Sequence, residues 1–211
     1  MNQNNDGGAM AKEEMDEFED IRPYNDSELR AVVSRLSKNQ WLLTGFKNIV
    51  WPKCPKIITP LFLRLEGVYL RMIMRKARTI DEFQKQFVIR QGLYMIIRMT
   101  TDGVTYDGLD ALSPDKGYLF ISNHRDISLD SALLNYALYR ERLPLSQITF
   151  GDNLLINDFT ADIIRVNKAF IVKRGLPIRE QIKASITLSR YIRKTLAENN
   201  SVWLAQREGR A

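Results

Sequence analysis

The best candidates for residues that perform acid–base chemistry lie in Ser122-Asn123-His124 and in the two aspartates that follow, Asp126 and Asp130. His124 is the only histidine of the chain, which excludes mechanisms and metal sites that need two histidines. An imidazole whose tautomer is fixed by a carboxylate is the usual arrangement of a general base. The alternative is a loop histidine held by any polar neighbour, and the two nearby carboxylates favour the base.

A strand and a helix must hold these residues in place. Residues 118–121 form a short apolar run that predicts a strand, and Asp130 leads into an amphipathic run over residues 131–139 that predicts a helix. His124 therefore falls where a strand gives way to a helix. Open α/β sheets bind their ligands at such strand ends.

Lys173 and Arg174 form a second group, directly after a predicted strand over residues 169–172. Two cations at the carboxyl end of a strand are suited to holding a phosphate. A solvated basic strand end is the alternative, and the residues alone support both equally.

The pattern of apolar residues from residue 101 onward alternates between strand and helix, which predicts an α/β fold. We expect a partly parallel, mixed sheet flanked by helices. Its predicted strands cover residues 104–106, 118–121, 147–150, 169–172 and 202–206, and its predicted helices cover residues 130–140, 154–164 and 178–197.

The chain before residue 101 has a different character. Residues 1–26 are acidic and polar and predict a flexible tail. Residues 27–100 predict a helical segment that precedes the sheet, and its last helix, over residues 81–99, has inward-facing Phe83, Phe87, Leu93, Ile96 and Ile97.

Residues 41–78 within this segment mix aromatic and aliphatic side chains with a series of arginines, which describes a helix at a membrane interface. An ordinary helical layer with solvated charges is the alternative. No stretch reaches the ~18 apolar residues of a spanning helix.

Charge is divided unevenly along the chain. The first 29 residues contain nine acidic and two basic residues, so the remainder holds 29 basic and 16 acidic residues, a net charge of +13. The positive charge of this remainder, the basic body of the chain, favours binding to an anionic partner. The single cysteine, Cys54, excludes a disulfide framework and a cysteine zinc site.

The residues around His124 resemble the first motif of the glycerolipid acyltransferases, which reads Asn-His, four residues, then Asp. Here Asp130 lies six positions after His124, and Leu129 occupies the usual place of the acid. We interpret this as a one-residue insertion and expect Asp130 to be the catalytic acid, with Asp126 as the other candidate.

Two further stretches resemble later motifs of that family. Phe170-Ile171 and the cations after them are similar to Gly-x-x-Phe-Ile-Arg-Arg, with Asn167 in place of glycine and the cations one position late. Glu208-Gly209 are similar to the centre of Pro-Glu-Gly-Thr-Arg-Ser, with the threonine missing. The resemblance implies that Lys173, Arg174, Arg207, Glu208, Gly209 and Arg210 bind the phosphate of the acceptor.

The resemblance implies an enzyme that moves a fatty acyl chain from a thioester of coenzyme A or acyl carrier protein to a hydroxyl. The acceptor would be glycerol-3-phosphate or lysophosphatidate, in phospholipid synthesis. His124 would take the hydroxyl proton and Asp130 would orient His124. Acyl-CoA or acyl-ACP is then a co-substrate, and we expect no cofactor and no metal.

The resemblance also implies an acyltransferase domain over residues 101–211 and peripheral attachment to the cytoplasmic face of a membrane. A fourth motif, an apolar strand with proline, does not follow the third. We therefore expect a shortened form that stops after the third motif.

Two other functions fit parts of the sequence. The altered motifs are compatible with a non-catalytic membrane-surface module derived from the same family. The basic body permits a nucleic-acid binder, but no recognised binding motif is present, so we expect no nucleic-acid partner.

Overall fold

The structure, a computed structural model, describes residues 17–123, 126 and 129–206, except for the side chains of residues 49 and 50. These residues form two compact units. The sheet unit takes in residues 17–23, 105–155 and 168–206 of the described chain, and the helical unit takes in Tyr24–Val104 and Ile156–Asn167.

The sheet has four strands: β1 (Leu119–Asn123), β2 (Gln147–Gly151), β3 (Ala169–Val172) and β4 (Val202–Gln206). Their order across the sheet is β1-β4-β2-β3. The α/β class is confirmed. The mixed sheet is a correction, because every strand pair in the described chain is parallel.

The apolar sequences of β3 and β4 explain why both strands are buried. Ala169, Phe170, Val202 and Trp203 are each no more than 2% exposed. Near-continuous apolar runs of this kind are typical of parallel strands, which are covered on both faces. β1, at one end of the strand order, alternates between exposed and half-buried residues instead.

Helices connect the strands: α6 (Leu129–Arg140), α7 (Asp158–Val166) and α8 (Ile178–Ala197). The bounds of β3, α8 and β4 are those predicted from the sequence. α7 begins four residues later than predicted, because Asn157 and Thr160 form a capping box at its start.

The predicted strand over residues 104–106 is wrong, since these residues form neither a helix nor a strand. Within the sheet unit, Tyr106 is held by its side chain: its hydroxyl donates to Glu141 Oε1 at 2.9 Å. Val104 and Tyr106 alternate with polar residues as in a strand, but Tyr106 is 38% exposed. The alternation therefore does not mark a buried strand face.

The described end of the predicted tail is packed onto the sheet unit. Phe18 and Ile21 are each 5% exposed, and the backbone N–H of Ile171 donates to the Ile21 carbonyl at 2.8 Å. The Phe18 ring meets the ring of Tyr191 edge-on, with centroids 5.4 Å apart. Residues 17–23 are therefore part of the fold, whereas the sequence predicts a free tail up to residue 26.

The helical unit contains α1 (Leu29–Leu36), α2 (Gln40–Val50), α3 (Thr59–Met74), α4 (Ile80–Phe83), a π-helical segment (Gln84–Leu93) and α5 (Tyr94–Thr100). Its core is one apolar cluster from α1, α3, α4 and α7. The buried members are Leu29, Val32, Val33, Leu36, Met74, Ala77, Ile80, Phe83 and Val166.

The π-helical segment changes which residues of the last predicted helix face inward. Phe83, Leu93 and Ile97 are buried as predicted, but Ile96 is 45% exposed. Hydrogen bonds from i to i+5 turn the chain through a smaller angle per residue than α-helical bonds. The prediction assumed an α-helical period throughout and therefore placed Ile96 on the wrong face.

Asp162 ties α7 to the rest of the helical unit. Its carboxylate, 4% exposed, accepts from the Tyr24 hydroxyl at 2.7 Å and from Nε and Nη2 of Arg35, each at 2.7 Å. The fork of the guanidinium matches the two carboxylate oxygens. Burial is the largest effect on Tyr24 and, with the bond to Asp162, raises the pKa of its hydroxyl.

α3 presents apolar side chains to the outside. Gly67, Leu70 and Met74 are buried on its inner face. The outer face carries apolar residues that are each at least 55% exposed: Leu61, Leu65, Val68, Tyr69 and Met72. Among the described residues, the helices are too short or too polar to cross a membrane.

Candidate active site

β1 and β4 bring the first and third motifs to neighbouring strand ends. The register pairs Asn123, the last residue of β1, with Gln206, the last residue of β4. His124 directly follows Asn123, and Arg207 directly follows Gln206. His124 and residues 207–210 lie outside the described residues, so the structure gives the strand ends that lead to them.

A side-chain bond fixes the end of β1. Trp203 Nε1 donates to Ser122 Oγ at 3.0 Å, which links the second residue of β4 to the residue two places before His124. Trp203 is buried and Ser122 is half-buried, so the bond is partly shielded from solvent. This link holds the carboxyl end of β1 against β4.

Asp126 and Asp130 meet at the start of α6. Asp126 Oδ1 accepts from the backbone N–H of Leu129 at 2.8 Å, and Asp130 Oδ2 accepts from the backbone N–H of Asp126 at 2.9 Å. The first bond is that of a helix cap, because it satisfies an N–H that has no partner inside the helix. Carboxylates at this end of a helix also interact favourably with its dipole.

This turn brings the two candidate acids together and engages one oxygen of each. Both residues have further interactions as well. The ring of His124 lies outside the described residues, so the choice of Asp130 over Asp126 as its partner stays a prediction. Asp126 has one role that the sequence did not assign to it, which is to cap α6.

The two cations after β3 have different surroundings. Lys173 Nζ forms an ion pair with Asp20 Oδ2 at 3.0 Å. Asp20 belongs to the acidic segment that the sequence predicts to be a free tail. One of the two candidate phosphate ligands is therefore already paired with a carboxylate of the chain itself.

Arg174 extends across the end of β2. A Cβ atom added to Gly151, the last residue of β2, would lie 3.0 Å from Arg174 Nε and 3.2 Å from its Cζ, and would clash with Asn153 Oδ1. Both oxygens of Asp152 accept from the backbone N–H of Arg174 at 3.2 Å. Within the described residues, the guanidinium of Arg174 makes no ion pair or hydrogen bond.

The sheet order sets the spacing of these groups. Neighbouring strands lie about 4.8 Å apart, so the end of β3 is about 14 Å from the end of β1. Because Arg174 lies over Gly151, its charge is about one strand nearer to β1. Of the two cations, Arg174 is the one directed towards the strand ends that precede His124 and Arg207.

Gly151 and Asp152 are residues of the candidate site that were not predicted from the sequence. The available signal was a Gly-Asp pair directly after a predicted strand, at the same edge as the other motifs. Glycine there leaves space for the Arg174 side chain, and Asp152 bonds to the Arg174 backbone. In the described part of the chain, no cluster of metal-binding residue types is found.

A family model described as Acyltransferase matches residues 103–209, just over half of the chain. The matched range contains the first two stretches that resemble family motifs and the third as far as Gly209, and it begins close to the predicted domain boundary at residue 101. No curated protein matches the chain. The predicted resemblance is confirmed, and the chain belongs to the acyltransferase family, the family of glycerolipid acyltransferases such as lysophosphatidate acyltransferase.

Proposed function

We propose that this chain transfers a fatty acyl group from a thioester of coenzyme A or acyl carrier protein to a hydroxyl of glycerol-3-phosphate or lysophosphatidate. The observation that supports this best is the parallel order β1-β4-β2-β3, because it brings the ends of β1, β4 and β3 to one edge. His124, the pair Lys173-Arg174 and Arg207, which belong to the three stretches that resemble family motifs, directly follow these three strands. Family membership supports acyl transfer in general.

In the proposed reaction His124 removes the proton from the acceptor hydroxyl as its oxygen attacks the thioester carbonyl. The tetrahedral intermediate collapses with loss of the thiolate, which takes the proton from the imidazolium. The products are the ester and the free thiol. Asp130 stabilises the imidazolium and fixes its tautomer, as the acid does in a Ser-His-Asp triad.

The oxyanion of the intermediate needs donors that are not already in use. The backbone N–H groups of Asp126 and Leu129 do not meet this condition, because each donates to an aspartate carboxylate. We therefore assign no oxyanion role to these two groups at the start of α6. Their bonds fix the turn that holds Asp130.

Arg174 is the proposed ligand of the acceptor phosphate among the described cations. Its guanidinium has no protein partner in the described chain, whereas Lys173 is paired with Asp20. A free, planar guanidinium can bind a phosphate through two parallel hydrogen bonds. Arg207 and Arg210, which follow β4 in the sequence, are further candidates.

We further propose that the outer face of α3 rests on the membrane from which the lipid substrate comes. Its exposed apolar side chains follow helical spacing, and Arg64 and Arg75 provide exposed charge on the same helix and at its end. Apolar side chains buried among lipid tails, with cations at the level of the headgroups, describe an interfacial helix.

The test is an assay of the full-length chain for transfer of a radiolabelled acyl group to a panel of acceptors. We expect transfer to glycerol-3-phosphate or lysophosphatidate and no transfer to glycerol or monoacylglycerol, which lack the phosphate. A chain that binds vesicles but transfers no acyl group to any acceptor, from either donor, would instead support the non-catalytic membrane module.

A further inference from the structure

α8 carries an apolar row on its outer surface. Ile178, Ile182 and Ile186 recur every four residues and therefore lie on one face. Their exposed fractions are 81%, 56% and 55%. The opposite face of the helix, which contains Tyr191 and Thr195, is buried in the sheet unit.

Cations accompany this row. Arg179, Lys183 and Arg193 are exposed and have no ion-pair or hydrogen-bond partner within the described residues. Arg190 lies on the same side and is paired with Glu17 at 2.8 Å. Glu180 is the only acidic residue of α8, and its position, two residues after Ile178, places it on another side of the helix.

From this arrangement we infer that the outer face of α8 is a second lipid-binding surface, which contacts a bilayer containing anionic phospholipids. The isoleucines enter the boundary between headgroups and acyl chains, and the unpaired cations bind lipid phosphates. This surface belongs to the sheet unit, which also carries the candidate active site, and it is separate from the outer face of α3 in the helical unit. The inference does not depend on acyl transfer by the chain.

The composition of this face favours a bilayer over a protein partner. Protein interfaces are enriched in aromatic residues, methionine and arginine and depleted of lysine. The exposed face of α8 has no aromatic residue and no methionine, and it includes Lys183. Aliphatic side chains in a row beside cations are instead the composition of a helix that lies in a membrane interface.

Vesicle binding by the full-length chain tests the inference. Replacing both Lys183 and Arg193 with glutamine is expected to weaken binding to vesicles of phosphatidylcholine and phosphatidylglycerol by roughly thirtyfold. Ile182→Ser with Ile186→Ser is expected to weaken it by roughly tenfold. Lys116→Gln with Arg142→Gln removes the same charge from exposed sites that precede β1 and β2, and binding should change much less.

A local probe reports on α8 even if α3 supplies most of the affinity. An environment-sensitive fluorophore is attached through Ile182→Cys in a chain that also carries Cys54→Ser, with Asp115→Cys as the matched exposed site. We expect anionic vesicles to shift the emission to the blue only for the probe at position 182.

Three results would overturn the inference. They are an unchanged emission at position 182, an equal loss of affinity in the charge control, and a self-association of the chain that the isoleucine substitutions abolish while vesicle binding persists. The last result would assign the face to a contact between protein chains. All three are independent of whether the chain transfers acyl groups.

Discussion

At the scale of single residues, Asp126 and Asp130 are neighbours in one turn, and a change from Asp to Asn separates their roles. An asparagine can still accept the backbone hydrogen bonds made at positions 126 and 130, so both variants keep the start of α6. The negative charge is lost, together with one of the two acceptor oxygens.

We expect Asp130→Asn to lower the turnover number by about 10⁴-fold, the scale seen when a triad acid loses its charge. Asp126→Asn should lower it far less, since its proposed role is that of a cap. Steady-state kinetics with unfolding curves for both variants make the comparison. The opposite ranking of the two variants would assign the acid to Asp126.

Arg174 and Lys173 offer a second matched comparison. Arg174→Gln is expected to raise KM for the phosphorylated acceptor by roughly ten- to a hundredfold, because a charge-assisted bond to phosphate contributes about 1.5–3 kcal/mol. Lys173→Gln should change KM little, since Lys173 is paired with Asp20.

Gly151→Ala provides an independent check on the position of Arg174. The added methyl group would displace the Arg174 side chain from the end of β2, so KM should rise while Arg174 itself is unchanged. An effect of Lys173→Gln larger than that of Arg174→Gln would contradict the assignment of the phosphate ligand.

Tyr191 gives a prediction about stability and pH. Burial raises the pKa of its hydroxyl from 10.0 to about 12, and the hydroxyl donates to Gln147 Oε1 at 2.7 Å. In the unfolded chain the hydroxyl ionises near its ordinary pKa, so the unfolded state loses its proton first. The contribution of Tyr191 to stability is therefore complete below pH 10 and is lost between pH 10 and 12.

The size of this effect is about 2 kcal/mol at pH 11.5, because each pKa unit corresponds to about 1.36 kcal/mol. The difference in unfolding free energy between the parent and Tyr191→Phe should shrink by this amount between pH 9 and pH 11.5. Urea unfolding at the two pH values measures it, with the exposed Tyr94→Phe as control. A constant difference would contradict the proposed burial of the hydroxyl.

At the scale of elements, the outer face of α3 yields a prediction about membrane binding. Leu61→Ser with Leu65→Ser should weaken binding to anionic vesicles without loss of stability, because both side chains are more than half exposed. Arg75→Glu with Arg78→Glu should weaken it further at low salt.

Arg71 is kept in these variants, because its Nε donates to Ser37 Oγ at 3.1 Å and so has a structural role in the helical unit. Cosedimentation at two salt concentrations measures the binding. If all variants bind like the parent, α3 belongs only to a solvated helical layer.

Elements with strong local signals could be predicted from the sequence. β3, α8 and β4 were predicted with their observed bounds, because each is a clear apolar run or period between turn residues. The π-helical segment could not be predicted, since its sequence is compatible with an ordinary helix. The prediction of a strand over residues 104–106 is wrong because a short alternation of apolar residues does not ensure burial.

At the scale of the whole molecule, the sequence indicated which stretches carry chemistry but not how the strands are ordered. Each of the three motif-like stretches was expected at a strand end, whereas the return of β4 between β1 and β2 depends on long-range pairing. That order separates Lys173 from the end of β1 by three strand spacings. It also makes Gly151 and Asp152 part of the candidate site, for which the only local signal was a Gly-Asp pair after a predicted strand.

The packing of residues 17–23 also depends on distant parts of the chain. Their acidic composition predicts a tail, but Phe18 and Ile21 find buried positions against residues more than 140 positions away. Two apolar residues in a polar segment were too weak a signal to predict this contact.

The central claim is that His124 acts as the base in acyl transfer, and the most direct test is the turnover of His124→Ala. We expect the variant to keep the circular dichroism spectrum and unfolding midpoint of the parent. Its turnover with acyl-CoA or acyl-ACP and the phosphorylated acceptor should fall by about 10²- to 10⁴-fold, the usual contribution of a positioned general base. A folded variant that retains turnover within a few-fold of the parent would contradict the account.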